Sequence, residues 1–196
     1  MSPKNITGET VLQQFLRGKG TLEELKEKYS ISATQHKKFP NLYLFKYNQI
    51  ESPFSEQIVR ESRSIILDKS QSWAIVARAF DKFFNFGEGL AATIDWKTAR
   101  VQEKLDGSLI VMYFYDGTWQ VATSGSPDAS GKVGDFTTTF EELFWRTWDN
   151  MGLDLPSPAM KGITMMFELM TPYNKVVIPH KESAIRLIGA RLVSTG

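Results

Sequence analysis

The chain has no cysteine among its 196 residues, which excludes a disulfide framework and a zinc–thiolate site. It also lacks an apolar run long enough to cross a membrane, and its start, MSPKNITGET, has no apolar secretory segment. Charge of one sign is not in excess, since 23 Lys and Arg stand against 22 Asp and Glu. We therefore expect a cytoplasmic protein without membrane contact. Any polyanion must meet local basic clusters, because the bulk charge is close to neutral.

The composition is that of a folded domain, with 42% hydrophobic and 23% charged residues. Helical spacing places four apolar side chains on one face near the start of the chain: Val11, Leu12, Phe15 and Leu16. Thr21 and Glu24 then form the pattern of a capping box, which opens a second helix. We predict a helical segment over residues 1–35, followed by the main domain over residues 36–196.

Strands dominate the remainder of the chain. Apolar or alternating runs predict strands over residues 41–50, 62–68, 72–80, 99–105, 108–115, 119–124, 162–170, 175–179 and 183–193. Asp116-Gly117 between two such runs indicates a hairpin, and the polar stretch 124–134 indicates a loop. Residues 136–148 have helical spacing. The predicted class is α+β, with a largely antiparallel sheet and helices packed on it.

The sharpest local feature is the run Glu103-Lys104-Leu105-Asp106-Gly107-Ser108 between two predicted strands. A lysine amine attacks phosphorus or a carbonyl carbon only when it is deprotonated, which needs a suitable pocket or a neighbouring cation. Gly107 would allow backbone to approach a phosphate or ribose, and Asp106 could orient the lysine or a metal-bound water. Alone, K-x-D-G occurs by chance in roughly one in twenty chains of this length. The alternative is a solvated lysine before an Asp-Gly turn.

This segment resembles motif I of the covalent nucleotidyltransferases, which are DNA ligases, RNA ligases and mRNA capping enzymes. In those families the lysine of K-x-D-G forms a phosphoramide with a nucleoside monophosphate. DNA ligases and capping enzymes usually carry arginine two residues beyond the glycine, where this chain has Leu109. The run KLDGSL is similar to ATP-dependent RNA ligases of the phage RNA ligase 1 type. The resemblance implies the ligase-type, ATP-grasp-like nucleotidyltransferase fold.

Four further segments resemble the same family in the same order. LFKYNQI resembles the segment that supplies a tyrosine near the nucleotide, here Tyr47. RESRSIILD resembles the strand that places an arginine at the nucleotide, here Arg63. ARAFDKFFNFGE resembles the segment with a phosphate-contacting lysine, here Lys82, and FELMTPYNKVV resembles motif III, which puts Glu168 in the pocket.

The resemblance implies a site for each of these residues. Lys104 would be the nucleophile that accepts AMP, with Asp106 as a second catalytic residue. Glu168 would be the third, because a glutamate within an apolar strand needs a partner, which can be a ribose hydroxyl, a lysine or a metal. The implied nucleotide-binding residues are Tyr47, Arg63, Lys82, Glu103, Gly107 and Ser108. The implied cofactors are ATP and Mg²⁺ or Mn²⁺, with Glu168 as a candidate metal ligand. The implied partner is RNA with 5′-phosphate and 3′-hydroxyl ends.

The individual residues also permit structural interpretations. Arg63 could pair with Glu61 at the surface, and Lys82 could lie over apolar surface. Tyr47 could simply cover a sheet edge. Two positions depart from the family: Ser64 replaces a glycine after the arginine, and Ser124 stands where the family often has a basic residue before Gly-Ser.

The end of the sequence is the largest departure. The family continues to motif IV, a strand with a metal-organising carboxylate, and to motif V, with paired lysines, whereas this chain stops at Gly196. We therefore expect a domain that is incomplete at its C-terminus, with these motifs supplied by further segments or a partner. Two rival functions remain. One is a nucleotidyltransferase acting on DNA or another target, which Leu109 argues against. The other is a non-catalytic ligase-like module that binds a nucleotide or RNA end, which the missing motifs favour.

Overall fold

The computed structural model describes residues 8–174 and 176–194. The α-helices within these residues are Val11–Arg17 (α1), Leu22–Tyr29 (α2), Gln57–Glu61 (α3) and Phe140–Asn150 (α4). The strands are Ile31–Gln35 (β1), Leu42–Tyr47 (β2), Arg63–Asp68 (β3), Ala74–Ala77 (β4), Ser108–Tyr115 (β5), Thr118–Thr123 (β6), Ile163–Met170 (β7) and Ala184–Leu192 (β8). Short 3₁₀ turns occupy Lys69–Gln71 and Pro158–Met160.

The strands form two four-stranded sheets, in the orders β1-β2-β3-β4 and β6-β5-β7-β8. Every pairing is antiparallel. The α+β class is therefore confirmed, and the single predicted sheet is corrected to two. A long irregular segment between β4 and β5 separates the sheets, so β5 begins a new sheet instead of extending the first. The strand predicted over residues 99–105 is not formed, because this run has no neighbouring strand and Val101 is fully exposed.

The two sheets pack face to face around a shared apolar core. Alternation along each strand sends every second side chain to this inner layer. The buried members are Leu42, Leu44, Ile66, Ala77, Ala79, Val111, Tyr113, Ala122 and Met166. Since both sheets contribute, the layer between them is the centre of the molecule.

Helices cover the outer face of each sheet. Helices α1, α2 and α3 pack on the first sheet through a second buried cluster, with Leu12, Leu25 and Val59 facing Phe45 and Ile65. Helix α4 packs on the second sheet in the same manner. The order of layers is thus helices, sheet, sheet, helix.

Helix starts follow local hydrogen bonding. The predicted capping box is confirmed, since Thr21 accepts from the Glu24 backbone and the Glu24 side chain returns to the Thr21 N–H. A second box at Thr139 starts α4, later than the predicted residue 136. The predicted hairpin turn is also present, with Asp116 and Gly117 both at positive φ, 47° and 82°.

Three features differ from the sequence-based expectation. Strand β1 and helix α3 were not predicted. Residues 176–179, within the predicted strand 175–179, form no strand, and Lys175 lies outside the described residues. The described helices include none with the length and apolarity of a membrane span. The division at residue 35 stays a prediction; β1 pairs along its whole length with β2.

Candidate active site

A cleft of about 1040 Å³ opens where β5, β7 and β8 meet the irregular segment before β5. It brings together five of the residues that the sequence singled out: Arg63, Glu103, Lys104, Gly107 and Glu168. These residues come from three separate stretches of the chain: pairing of β5 with β7 brings the lysine segment to Glu168, and packing of the two sheets brings Arg63 to them. The arrangement combines an exposed amine, a guanidinium and carboxylates around one open space.

Lys104 lies four residues before β5, and its side chain is exposed in the cleft. Its positive charge acts on two acidic neighbours: it contributes to the lowered pKa of Asp106, and it partly opposes the burial that raises the pKa of Glu168. An exposed amine beside a carboxylate is accessible to a ligand that enters the cleft. Lys104 is therefore open to a ligand bound in the cleft, and its role as nucleophile stays a prediction.

Gly107 is required by a close approach of two strands. A Cβ at this position would lie 2.5 Å from the carbonyl oxygen of Leu169 and 3.2 Å from Cγ of Glu168. No side chain fits there unless β5 and β7 separate. The backbone N–H of Gly107 donates to the Glu168 carboxylate. The glycine thus allows the lysine segment to pack directly on the strand that carries the glutamate.

Glu168 is half-buried in β7, between two mostly buried neighbours. Burial raises its pKa above the ordinary glutamate range, and the nearby charge of Asp106 adds to this effect. The positive charge of Lys104 and the Gly107 N–H act in the opposite direction without cancelling it. A carboxyl group held in such an environment gains from a cation or hydroxyl donor in the cleft.

Asp106 faces away from the cleft and ties two segments together. One carboxylate oxygen accepts the backbone N–H groups of Val177 and Ile178, at 2.8 and 2.6 Å. These bonds hold the pKa of Asp106 below its usual range. The ring Nε2 of His180 lies 2.5 Å from the Asp106 carbonyl oxygen. In this arrangement Asp106 joins the lysine segment to the loop that follows β7.

Ser108 is engaged in the same junction. Its hydroxyl oxygen accepts a hydrogen bond of 2.8 Å from the Asn174 side chain. Asn174 belongs to the stretch after Glu168 that resembles motif III. Three hydrogen bonds, two to the Asp106 carboxylate and one to the Ser108 hydroxyl, therefore fix the position of motif I relative to that stretch and the loop after it.

Arg63 reaches the cleft from the first sheet. Its guanidinium lies 4.4 Å from the centre of the Phe83 ring and donates 3.2 Å to the carbonyl oxygen of Asp81. The surface pair with Glu61 is not formed. Glu61 is buried and accepts the backbone N–H of Val11 at the start of α1. Arg63 is thus left without an acidic partner among the described ion pairs.

Tyr47 and Lys82 are not among the residues that line the cleft. Tyr47 is buried and meets Phe54 edge to face at 5.1 Å. The Lys82 ammonium lies 5.4 Å from the centre of the same Phe54 ring and 5.1 Å from that of Phe84. The structure therefore groups these two residues around Phe54, on the first sheet. Their assignment to the nucleotide stays a prediction.

Sequence reasoning missed two contributors. Arg186 lines the cleft from β8, directly opposite Glu168 in the strand register. His180 contacts Asp106 although an isolated histidine gave no signal. His36 lies away from this site and is buried; its Nδ1 accepts two backbone N–H groups. The only sequence signal for Arg186 was its place in an apolar strand, and register cannot be read from one strand alone.

An amine beside a desolvated carboxylate, with two guanidinium groups at the wall, suits a phosphate-bearing substrate. The comparisons with known proteins define the class. A family model described as RNA ligase matches residues 61–195, and the chain therefore belongs to this family. The match includes the segments that carry Arg63, Lys104 and Glu168.

Curated relatives agree with the family. The chain is 34% identical over 184 residues to the RNA ligase of Rhodothermus phage RM378, covering 78% of this chain and 42% of the relative. It is 30% identical over 188 residues to a putative bifunctional polynucleotide kinase/RNA ligase of Autographa californica nuclear polyhedrosis virus, covering 85% and 26%. It is 28% identical over 153 residues to RNA ligase 1 of bacteriophage TS2126, covering 73% and 37%. The chain thus spans less than half the length of each of these relatives.

Proposed function

We propose that this protein is the adenylyltransferase portion of an ATP-dependent RNA ligase and that Lys104 accepts AMP. The observation that carries the proposal is the cleft that holds Lys104 and Glu168 together, with Arg63 at its wall. A volume of about 1040 Å³ is ample for a nucleotide. We assign residues 36–196 to a ligase-type nucleotidyltransferase domain preceded by a helical segment, 1–35. The lack of cysteine fits the reducing cytoplasm, where we place the reaction.

The proposed reaction has three steps. In the first, Lys104 Nζ attacks the α-phosphorus of ATP; a P–N bond forms, pyrophosphate leaves and the nitrogen loses a proton. In the second, an oxygen of the RNA 5′-phosphate attacks the same phosphorus, and the P–N bond breaks to restore the amine. In the third, an RNA 3′-hydroxyl attacks the 5′-phosphorus, its proton is lost, and AMP leaves.

Each residue has a role that its position supports. Arg63 and Arg186 offer positive charge to phosphates at the wall of the cleft. Glu168 faces the lysine and can accept from a ribose hydroxyl. Asp106, Gly107 and Ser108 fix the lysine segment against β7 and its following loop, and so position Lys104.

The remaining assignments rest on the family resemblance. Glu103 lines the cleft beside Lys104 and is proposed to contact the nucleotide. Tyr47 and Lys82 lie around Phe54, so we propose that they act at the phosphate end of the nucleotide, on the side of Arg63. Phe54 orients the Lys82 ammonium by a cation–π contact.

A divalent ion, Mg²⁺ or Mn²⁺, would be held by Glu168 together with the phosphates of the nucleotide. Mg²⁺ is commonly bound by one or two carboxylates with substrate phosphates and water. Within residues 8–174 and 176–194, no three His, Asp or Glu side chains cluster as an all-protein metal cage. The single, half-buried carboxylate of Glu168 fits a site in which the protein shares Mg²⁺ with substrate phosphates. When bound, the ion would neutralise charge on the phosphates.

The test is covalent labelling with α-labelled ATP and Mg²⁺, followed by denaturing electrophoresis. We expect label on the wild-type chain and none on Lys104→Ala. Lys97→Ala is the matched control, because this exposed lysine lies in the same irregular segment outside the cleft. Label that persists on Lys104→Ala would contradict the proposal. ATP binding without label would favour the non-catalytic module, and label from GTP alone would indicate capping-like chemistry.

A further inference from the structure

A second groove, here called the Lys46 groove, lies on the first sheet and has a volume of about 710 Å³. Its charged lining consists of three cations, Lys26, Lys46 and Arg63, and one acid, Glu51. Glu51 already accepts a hydrogen bond of 3.0 Å from the Asn48 side chain. In the described part of the chain none of the three cations forms an ion pair. The groove is therefore a concave surface with an excess of unpaired positive charge.

Lys46 lies where the first sheet meets the turn that follows β6 of the second sheet. In β2 it is paired with Ser32 on one side and Arg63 on the other. Its ammonium would lie 3.7 Å from a Cβ built on Gly125, which belongs to the turn after β6. This is the turn in which Ser124 stands where the resembled family often carries a basic residue. Lys46 thus brings a cation to the turn from the opposite sheet.

The turn is held in place from the first sheet as well. The Ser64 hydroxyl donates 3.0 Å to the carbonyl oxygen of Ser124. Both residues line the groove. This bond holds the turn against β3, next to the strand that carries Lys46.

The Lys46 groove and the cleft meet at Arg63, which lines both cavities. Lys46 and Lys26, the latter on the last turn of α2, line the groove but not the cleft. The cleft alone is large enough for a nucleotide. A nucleic-acid strand whose end lies at Lys104 extends beyond the cleft and needs a binding surface for its remaining nucleotides. Unpaired cations along a groove suit the successive phosphates of such a nucleic-acid strand.

We propose that the Lys46 groove binds the phosphodiester backbone of the RNA strand whose 5′-phosphate is activated at Lys104. Lys46 and Lys26 contact successive backbone phosphates, while Arg63 lies at the junction with the cleft. Polar side chains such as Ser32 line the same groove and can meet ribose hydroxyls. The proposal rests on the proposed function, since it assumes that the strand end is the substrate of Lys104.

The test is binding of a short 5′-phosphorylated RNA carrying a fluorophore at its 3′ end, measured by anisotropy over a series of salt concentrations. Each of Lys46→Ala and Lys26→Ala should weaken binding about five-fold at 0.1 M salt, which is what a slope change of about 0.7 per lost phosphate contact gives. Lys46→Arg keeps the charge and should retain most of the affinity. Equal unfolding midpoints show that each variant is folded.

Two lysines outside the groove serve as matched controls. Lys28 lies on the same helix as Lys26 and pairs with Glu24, and Lys69 is an exposed lysine in the 3₁₀ turn between β3 and β4. Their alanine variants should leave affinity and salt slope within two-fold of the wild type, about 0.4 kcal/mol. Affinity equal to the wild type in Lys46→Ala and Lys26→Ala would overturn the proposal.

A second measurement distinguishes binding of RNA in the groove from binding of the triphosphate of ATP. Loss of ATP labelling with unchanged RNA binding in Lys46→Ala would assign the groove to the nucleotide and overturn the RNA assignment. RNA binding is also measured on Lys104→Ala, which cannot be labelled. If RNA binding depends on Lys46 and Lys26 but the wild-type chain takes up no label from ATP, only the proposed function is contradicted. If the wild-type chain is labelled but its RNA binding does not depend on these two lysines, only the present proposal is contradicted.

Discussion

Glu168 lies in β7 between Phe167 and Leu169, both largely buried. Burial raises its pKa because the ionised carboxylate loses hydration that Lys104 and the Gly107 N–H replace only in part. The folded protein therefore holds this proton more tightly than the unfolded chain does. Stability from this group is complete below the ordinary glutamate pKa and is lost as pH rises through the raised pKa.

Glu168→Gln should therefore stabilise the fold at pH 7. Glutamine keeps an oxygen that can accept from the Gly107 N–H, and it removes the charge that burial disfavours. Because the carboxyl group is only half-buried, we expect a gain below about 1 kcal/mol. The gain should have disappeared by about pH 3, well below the ordinary glutamate pKa of about 4.3, where the wild-type carboxyl group is protonated in both states. Urea unfolding at the two pH values measures it.

The matched control for this substitution is Glu103→Gln, an exposed glutamate at the same cleft. It should change stability little at either pH. A Glu168→Gln chain that is less stable than the wild type at pH 7 would contradict the burial argument. It would show that the pair with Lys104 outweighs desolvation. Covalent labelling of the same variant tests the catalytic role separately from stability.

Some site residues could be predicted from sequence because their chemistry is local. Lys104 stands in a recognisable K-x-D-G run, and Glu168 is an acid within an apolar strand, which demands a partner. Arg186 could not be predicted, since only the register of β7 and β8 places it opposite Glu168. The position of Lys82 could not be predicted either. Its ammonium lies over Phe54, just before helix α3, and that helix was not predicted.

A β-bulge at Ser64 shapes the first sheet beside the Lys46 groove. Phe45 pairs with Ile65 and Lys46 pairs with Arg63, so Ser64 is the extra residue of β3. Its φ is 65°, in the left-handed region that favours glycine. This left-handed conformation explains why the resembled family has glycine at this position. Here the serine hydroxyl instead bonds to Ser124.

At the bulge we expect the glycine variant to be more stable than the alanine variant, which is the reverse of the usual order. Ser64→Gly and Ser64→Ala both lose the hydroxyl bond to Ser124, but only alanine keeps a Cβ in the left-handed conformation. We expect Ser64→Gly to be more stable than Ser64→Ala by about 1 kcal/mol. Thermal or urea unfolding of the two variants provides the comparison.

Ser62 offers a close control two residues earlier. It is also buried and donates 2.8 Å to a backbone carbonyl, that of Ile58, but its φ is −81°. At Ser62 the order should be the ordinary one, with alanine more stable than glycine by about 0.5–1 kcal/mol. The same order at both positions would rule out strain at the bulge.

Elements with local signals were predictable, and those defined by distant partners were not. The hairpin at Asp116-Gly117 and the capping box at Thr21 are set by neighbouring residues, and both are confirmed. Strand β1 is short and only alternately buried, so pairing with β2 defines it. The split into two sheets depends on where β5 finds its neighbours, which no single segment encodes.

At the scale of the whole molecule, polar links join the two sheets around their apolar core. The Tyr115 hydroxyl of β5 donates 2.8 Å to Asp68 at the end of β3, and this contact together with burial raises the pKa of Tyr115 to about 12. The Arg78 backbone N–H donates 3.0 Å to the Thr164 hydroxyl of β7. These directional links add to the apolar contacts between the sheets and help to define how one sheet lies on the other.

Asp81 forms a further link between the sheets, and its removal tests how far polar links hold them together. Its carboxylate accepts from Arg78 at 3.0 Å, at the end of the first sheet, and from Arg191 of β8 at 3.0 Å. Arg78 is largely buried, and within residues 8–174 and 176–194 the other acid paired with it is Glu61, at 4.0 Å.

Asp81→Asn removes the charged hydrogen-bond acceptor that both guanidinium groups share and leaves Glu61, 4.0 Å from Arg78, as a more distant charge. Hydrogen bonds to charged groups are the stronger kind. The Asp81 side chain is more than a third exposed, so solvent screening limits the loss to about 1–2 kcal/mol. Urea unfolding should show that loss, while Asp154→Asn, an exposed acid with no described ion pair, should show almost none. The backbone carbonyl that holds Arg63 is unchanged in Asp81→Asn. ATP labelling should therefore fall less steeply than in Lys104→Ala. Equal stability of the two asparagine variants would mean that the apolar core alone holds the sheets together.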